Sequence, residues 1–537
     1  MKASAIIRSG GILLVLGALI SAGPSRSSGA QDVVRDGGLI RVRTDDVPAK
    51  PNLDPAVRSW VFAAGQVFEG LVRLSGGLDF TPALADYWVV SEDGRRTTFL
   101  LKRGVRFHNG REMDSQDVKF SFERLLRREI ASPIAPYLAA RVIGAQEFWE
   151  GRAEDVSGFR APEKFLFEVQ WKTPSPASLI LLSTSFCMVL PRDLVLDQGH
   201  DFFAKPVGTG PFRFGYWIRS PRLDIVGVRL ERNPQYYARR PYLDAIEFSP
   251  FFTLDQFRDG DVDILPFLSE RQASAGAQVV QGGLYNMTFL MMSCRNAPFD
   301  RAAARKAVAA ALDKDKLAAA LAGPAVAPRS SGNFIPPGLP GFVPVDERLA
   351  ADPEKAKQLL VDLGFLIEKK FPDIILYLMM PRSETSARLS RELESQLDAV
   401  GIPSTVRYIR STAELRDVKQ PFLAVVPWRM DFPDAENIIQ PLFTSASEIN
   451  RSAFGYSSAA LDKLFEEAET EKSWNRRVEL FRRMEGLLLQ DVPAIPLFFS
   501  EERFAVQSRI HGIKIPPLGF QFIDGRSIWT EKKGQTP

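Results

Sequence analysis

Trp428-Arg429-Met430-Asp431-Phe432-Pro433-Asp434 sets an indole, a guanidinium and two carboxylates directly after an apolar run, Pro421–Val426, that reads as a strand. Loops at the C-terminal ends of strands are where α/β sheets place ligand-binding groups. A carboxylate held there, once water is excluded, is a counter-ion for a ligand ammonium, and this is the chemistry expected of Asp431. The competing reading is an aspartate that caps the turn made with Phe432-Pro433-Asp434. Trp428 offers a large flat wall for a pocket, or ordinary packing beneath the loop. Asp434 is expected to cap the segment that begins at Ala435.

Other chemistries lack their residues. The three histidines, His108, His200 and His511, are scattered, with no partner at metal-ligand spacing. The chain has no nucleophile elbow and no zinc-binding helix motif. Gly208-Thr209-Gly210 lacks the spacing and the lysine of a nucleotide loop and reads as a structural turn. His108, just before Asn109-Gly110, reads as a turn-stabilising residue rather than a general base. Cys187 and Cys294 both lie in apolar runs and read as two buried thiols, although export would permit a disulfide.

The elements that must position these groups are mixed α and β, with no internal repeat. Short strands are expected early, at Leu39–Arg43, Thr97–Leu101, Lys164–Trp171, Arg222–Leu230 and Ala245–Pro250. After Thr288 strands and helices alternate. The segment Arg301–Leu321 is alanine-rich and helical, and a helix is capped by Asp352 and stopped by Gly364. Phe371–Met380 reads as a strand, and Thr385–Val400 as a helix burying Leu389, Leu393 and Leu397. Thr405–Ile409 is a further strand, and helices follow at Ser458–Thr470 and Trp474–Leu489. This alternation predicts an α/β lobe with a largely parallel sheet.

Lys2 and Arg8 precede an apolar run from Ile12 to Ile20, about half of the ~20 residues a membrane-spanning helix needs. A cleavable secretory signal over residues 1–30 is expected, cut at Ser28-Gly29-Ala30, with no cysteine placed for a lipid anchor. That segment holds Lys2, Arg8 and Arg26 and no acids, which accounts for the whole formal charge of +3. The neutral remainder has no nucleic-acid footprint and no electrostatic membrane clamp. Roughly 500 residues are too many for one core and predict two or three domains.

Asp93 to Arg124 joins, in fixed order, a turn at Asp93-Gly94, the strand Thr97–Leu101, turns at Lys102-Arg103-Gly104 and Asn109-Gly110, and a helix start at Asp114-Ser115-Gln116-Asp117. This order resembles the signature segment of the family 5 extracytoplasmic solute-binding proteins, the oligopeptide-, dipeptide- and nickel-binding receptors of ABC importers. Further blocks are family-like: Val67-Phe68-Glu69-Gly70-Leu71, Pro206-Val207-Gly208-Thr209-Gly210-Pro211-Phe212, Asn233-Pro234-Gln235-Tyr236-Tyr237, Pro298-Phe299-Asp300-Arg301, and Trp428 to Asp434. The resemblance covers essentially everything after the leader.

It implies an α/β, two-lobed clamshell of the periplasmic binding protein type, class II-like, with an extra insert domain. Residues 31–76, 201–284 and 499–537 would form lobe I, residues 77–200 the insert domain, and residues 285–498 lobe II. It implies a receptor in the periplasm, not an enzyme, which binds a peptide or similar small solute and delivers it to permease and ATPase subunits. A monomer without cofactor is expected. In peptide-binding relatives the acid matching Asp431 holds the α-amino group, and an arginine placed like Arg382 grips the carboxylate. The segment from Pro51 to Trp60 corresponds to one that lines the cleft, so Arg58 and Trp60 join Asp431, Trp428 and Arg382 as expected ligand contacts, although an apolar helix face with Val61, Ala64, Val67 and Phe68 explains Trp60 as well. Relatives often carry asparagine where this chain has Ser293-Cys294, so solute contacts at that strand end are expected to differ. Nickel complexes, opines, sugars, a signalling role and, more distantly, a secreted hydrolase stay open.

Overall fold

A computed structural model describes residues 35–44, 50–57, 61–74, 79–266, 277–323, 326–344, 350–367 and 369–531. The expected leader, Arg58 and Trp60 lie outside those residues. Two long antiparallel strands, Ala277–Met292 and Ala494–Gln507, carry the architecture. At one end Val279 faces Ala505, and at the other Leu290 faces Ile495. The register shifts between Gly282 and Asn286, and again between Thr288 and Phe289. Gly283 has φ +81°, a backbone state that glycine reaches at no steric cost.

These strands run from one hydrophobic core to another. Beyond the register shifts, Phe289, Leu290, Ile495 and Leu497 bury themselves with Leu376, Leu378, Val425, Leu393 and Phe443. Toward the opposite end, Phe504 and Val506 join Ile40, Val42, Phe62, Val228 and Phe248. A single eleven-stranded sheet spans both regions. Its order is Ser404–Tyr408, Ile374–Leu378, Phe422–Arg429, Ala277–Met292, Ala494–Gln507, Ile264–Pro266, Leu39–Arg43, Ala245–Ser249, Ile225–Arg232 and Phe212–Arg219, with Val326–Ser330 also on Ala494–Gln507.

The sheet is mixed, which corrects the expected largely parallel lobe. Ile374–Leu378 is parallel to both of its neighbours, but Phe422–Arg429 then meets Ala277–Met292 antiparallel. The long strand enters from the other core and so reverses the direction that alternation along the chain suggested. Ile374–Leu378 is buried along its whole length, as a central strand covered on both faces must be. Ser404–Tyr408, the edge strand beside it, alternates between partly buried and exposed positions.

A third core is built on a separate four-stranded sheet, Ala85–Val90, Arg96–Leu101, Leu166–Gln170 and Phe159–Glu163 in spatial order. Its helix Ser115–Leu125 begins with a reciprocal cap: Asp114 accepts the backbone N–H of Asp117, and Asp117 accepts that of Asp114. The helical segment expected over Arg301–Leu321 forms two helices, Ala302–Ala311 and Lys314–Leu321. Leu312 turns extended, and Asp313 restarts the chain by accepting the Lys316 N–H at 3.1 Å.

Candidate functional site

The strand Phe422–Arg429 ends in the loop that holds Asp431. That loop is pinned by Asn437, one residue into the first turn of the helix Glu436–Phe443 and 1 % exposed. The Asn437 side-chain oxygen accepts the Asp431 backbone N–H at 2.8 Å, and its carbonyl accepts the Trp428 indole N–H at 2.9 Å. Asp434 accepts the Glu436 N–H at 2.9 Å from just outside the helix, whose N-cap is Ala435 rather than the expected Asp434. Asp434 also takes a two-pronged grip from the buried Arg477 guanidinium, at 2.6 and 2.9 Å. Asp431 is partly buried, and its carboxylate lies close enough to Tyr137 to help hold that phenol protonated, after burial and beside Glu436.

Phe432 turns the opposite way. It is 1 % exposed and enters the third core, edge-on to Tyr137 with ring centroids 5.4 Å apart. Arg141 reaches the same loop, pairing with Glu436 at 2.5 Å and with Glu469 at 3.1 Å. Glu436 is shared with Arg477 at 3.2 Å. Arg141, Arg477, Asp434 and Glu436, all nearly fully buried, thus brace the segment behind Asp431.

A half-open cavity of ≈ 520 Å³ lies where the two long strands pass from one core to the other. Asn286, Met287 and Thr288 line it from one strand, and Ser500 to Phe504 from the other. Pro427, Trp428 and Arg429 close it on the loop side, with Met380 and Thr385 beside them. Arg429 crosses this wall, donating to Asn286 at 3.1 Å and pairing with Glu502 at 2.9 Å. Glu502 in turn accepts the Phe520 N–H at 2.7 Å.

Of the residues expected to meet a ligand, Trp428 lines the cavity and also packs on the core beneath it. Asp431 lies two residues beyond the lining residue Arg429. Arg382 is exposed and rests its guanidinium 5.1 Å from the Tyr408 ring centre, on the edge strand. Its neighbours Met380 and Thr385, rather than Arg382 itself, face the cavity. Ser293 and Cys294 are a correction. Ser293 exchanges hydrogen bonds with the backbone of Phe422, at the end of that strand opposite the cavity, and Cys294 follows it. The six residues from Met287 to Ser293 span about 20 Å of strand, so this departure from the family pattern lies far from the cavity wall.

Motif blocks that look functional in the sequence meet instead around Glu69. Its buried carboxylate accepts from Tyr236 at 2.7 Å, Tyr237 at 3.2 Å and Thr209 at 3.3 Å, and pairs with Arg73 at 3.1 Å. Burial raises its pKa, with Arg73 opposing. The Gly208-Thr209-Gly210 turn lies directly on Val67, where a Cβ on Gly208 would meet the Val67 carbonyl at 1.9 Å. His108 clamps the same turn, its Nδ1 accepting from the Gly208 N–H at 3.2 Å and its Nε2 lying 3.0 Å from the Gly210 carbonyl. Burial drops its pKa to about 4. Both cysteines are free thiols, pushed up by burial to about 12 at Cys187 and about 11 at Cys294.

Tyr137, Arg141, Asn437 and Arg477 carried no sequence signal, because each gains its meaning from a partner in another part of the fold.

Comparison with known proteins matches residues 79–450 to the family model of bacterial extracellular solute-binding proteins, family 5 middle. The chain is 25% identical over 484 residues to the dipeptide-binding protein of Escherichia coli K12, covering 84% of this chain and 87% of that protein. It is 24% identical to heme-binding protein A of Haemophilus influenzae, covering 98% and 100%. Among solved structures, the periplasmic binding protein DppA of Helicobacter pylori, in complex with the peptide STSA, superposes with a TM-score of 0.75 at 21% identity, over 93% of this chain and 99% of that one. The fold is that of the two-lobed periplasmic binding proteins.

Proposed function

The chain belongs to the bacterial extracellular solute-binding proteins of family 5, and from that premise we propose that it captures a short peptide and delivers it to the permease and ATPase subunits of an ABC importer. The observation that carries this reading is the position of Trp428, which lines the cavity at the crossing strands and shares Asn437 with the backbone of Asp431. Asp431 takes the peptide ammonium, and Trp428 walls the adjoining residue. Arg382, exposed beside the lining residues Met380 and Thr385, takes the carboxylate. Arg58 and Trp60, outside the described residues, enter this proposal as ligand contacts on the sequence alone. The insert and lobe boundaries read from the sequence are part of this proposal, as are a cleaved leader, a periplasmic location and a monomer.

The protein performs no catalysis in this reading: its work is to bind, close and release. A second reading rests on the cavity walls. Met287, Leu321, Met380, Pro427, Trp428 and Phe504 are apolar, which suits a solute with a bulky apolar body, and one relative is named for heme.

The test is native mass spectrometry of protein drawn gently from its own compartment, followed by denaturing release of the bound mass. Released peptides support the first reading. A non-peptide mass overturns it and leaves the receptor.

A further inference from the structure

We propose that Tyr137 and Arg141 are positioning residues for solute capture, holding from the helix Ala135–Arg141 the loop that carries Asp431. The inference rests on the reading of Asp431 as the ammonium anchor. The two residues are four apart, so both side chains leave the same face of the helix. That face meets the loop at three points. The Tyr137 ring packs edge-on against Phe432, the Tyr137 hydroxyl lies beside the Asn437 side chain, and Arg141 pairs with Glu436 at 2.5 Å.

Phe432 and the pair Glu436-Asn437 flank Asp431 on the chain, and Asn437 holds its backbone N–H. Fixing both flanks fixes the stretch of backbone from which the Asp431 carboxylate leaves. Apolar packing alone would hold the loop against the helix. A buried ion pair is a costly substitute, and its best-attested use is to select one register among several. Here the selected register is that of a ligand-binding carboxylate, and it is set by residues nearly 300 positions away in the sequence that need not touch the ligand.

The experiment uses the full-length protein as Tyr137→Phe, Arg141→Met and Asp431→Asn, with Ala-Phe and N-acetyl-Ala-Phe as calorimetric probes. Hydrogen exchange of the segment 428–437 is followed in parallel. Tyr137→Phe keeps the ring and guards against an Arg141→Met protein that fails to fold. The expected result is that exchange of the loop amides rises about tenfold in both variants. The preference for the free amine over the acetylated probe should shrink about three- to tenfold, the loss of one positioning contact.

Unchanged exchange in Tyr137→Phe overturns the inference. So does faster exchange with an unchanged amine preference, because the loop would then be ordered to no effect on capture. If Asp431→Asn itself leaves the preference intact, or neither probe binds, the ammonium reading has failed, and loop exchange alone decides whether the helix positions the loop.

Discussion

Phe432 stands perpendicular to Tyr137, at an interplanar angle of 88°, inside a core whose other buried members all come from Ala56 to Val189. One residue from the lobe of the long strands has been driven into the neighbouring core, immediately after the acid expected to bind the ligand. The loop is therefore held from both sides, by Asn437 within its own region and by Tyr137 and Arg141 across from it.

Phe432→Ala should destabilise the protein by about 3–5 kcal/mol, since it empties a fully buried site and removes the aromatic pair. Urea denaturation read by fluorescence checks this, and a loss below about 1 kcal/mol would mean that the neighbouring core closes around the gap.

Asp431→Asn should weaken binding of a free-amine dipeptide about a hundredfold, near 2.7 kcal/mol, because the ammonium keeps its position and loses its charge partner. Calorimetry measures it. Unchanged affinity would return Asp431 to the role of a turn residue.

Arg382→Ala should abolish the advantage of free-acid over amidated peptides. Its stacking on Tyr408 leaves the side chain exposed, so the fold should be unaffected and the melting temperature should stay within about 2 °C of the parent. A persistent preference for the free acid removes Arg382 from the site.

His108 should give the protein an acid-sensitive stability. Burial depresses its folded pKa from 6.5 to about 4. The unfolded chain therefore takes up a proton at a pH where the folded chain resists it, and stability falls as pH drops from 6.5 toward 4. The loss is at most about 3 kcal/mol. Comparing urea midpoints at pH 7 and pH 4.5 should show a smaller decline in His108→Gln than in the parent.

Much of the fold was legible because its signals are local. The Asp114 cap, the Asp352-Pro353 helix start and the wholly buried strand Ile374–Leu378 each depend on neighbours a few residues away. Where the reading failed, a distant partner decided. The sheet is mixed because Ala277–Met292 arrives from another core.

The sequence by itself determined the family, through ordered motif blocks, and the position of Asp431 at a strand end, through the apolar run before it. Only the tertiary structure decided what those motifs do. It gathered Glu69, Thr209 and Tyr236 into a buried polar cluster, and it placed Ser293 and Cys294 at the strand end away from the cavity. It also brought Tyr137 and Arg141 to the loop of Asp431. The reason is physical: capping and periodicity act over a few residues, whereas a buried charge or ring is satisfied by whichever partner the packed cores bring within reach.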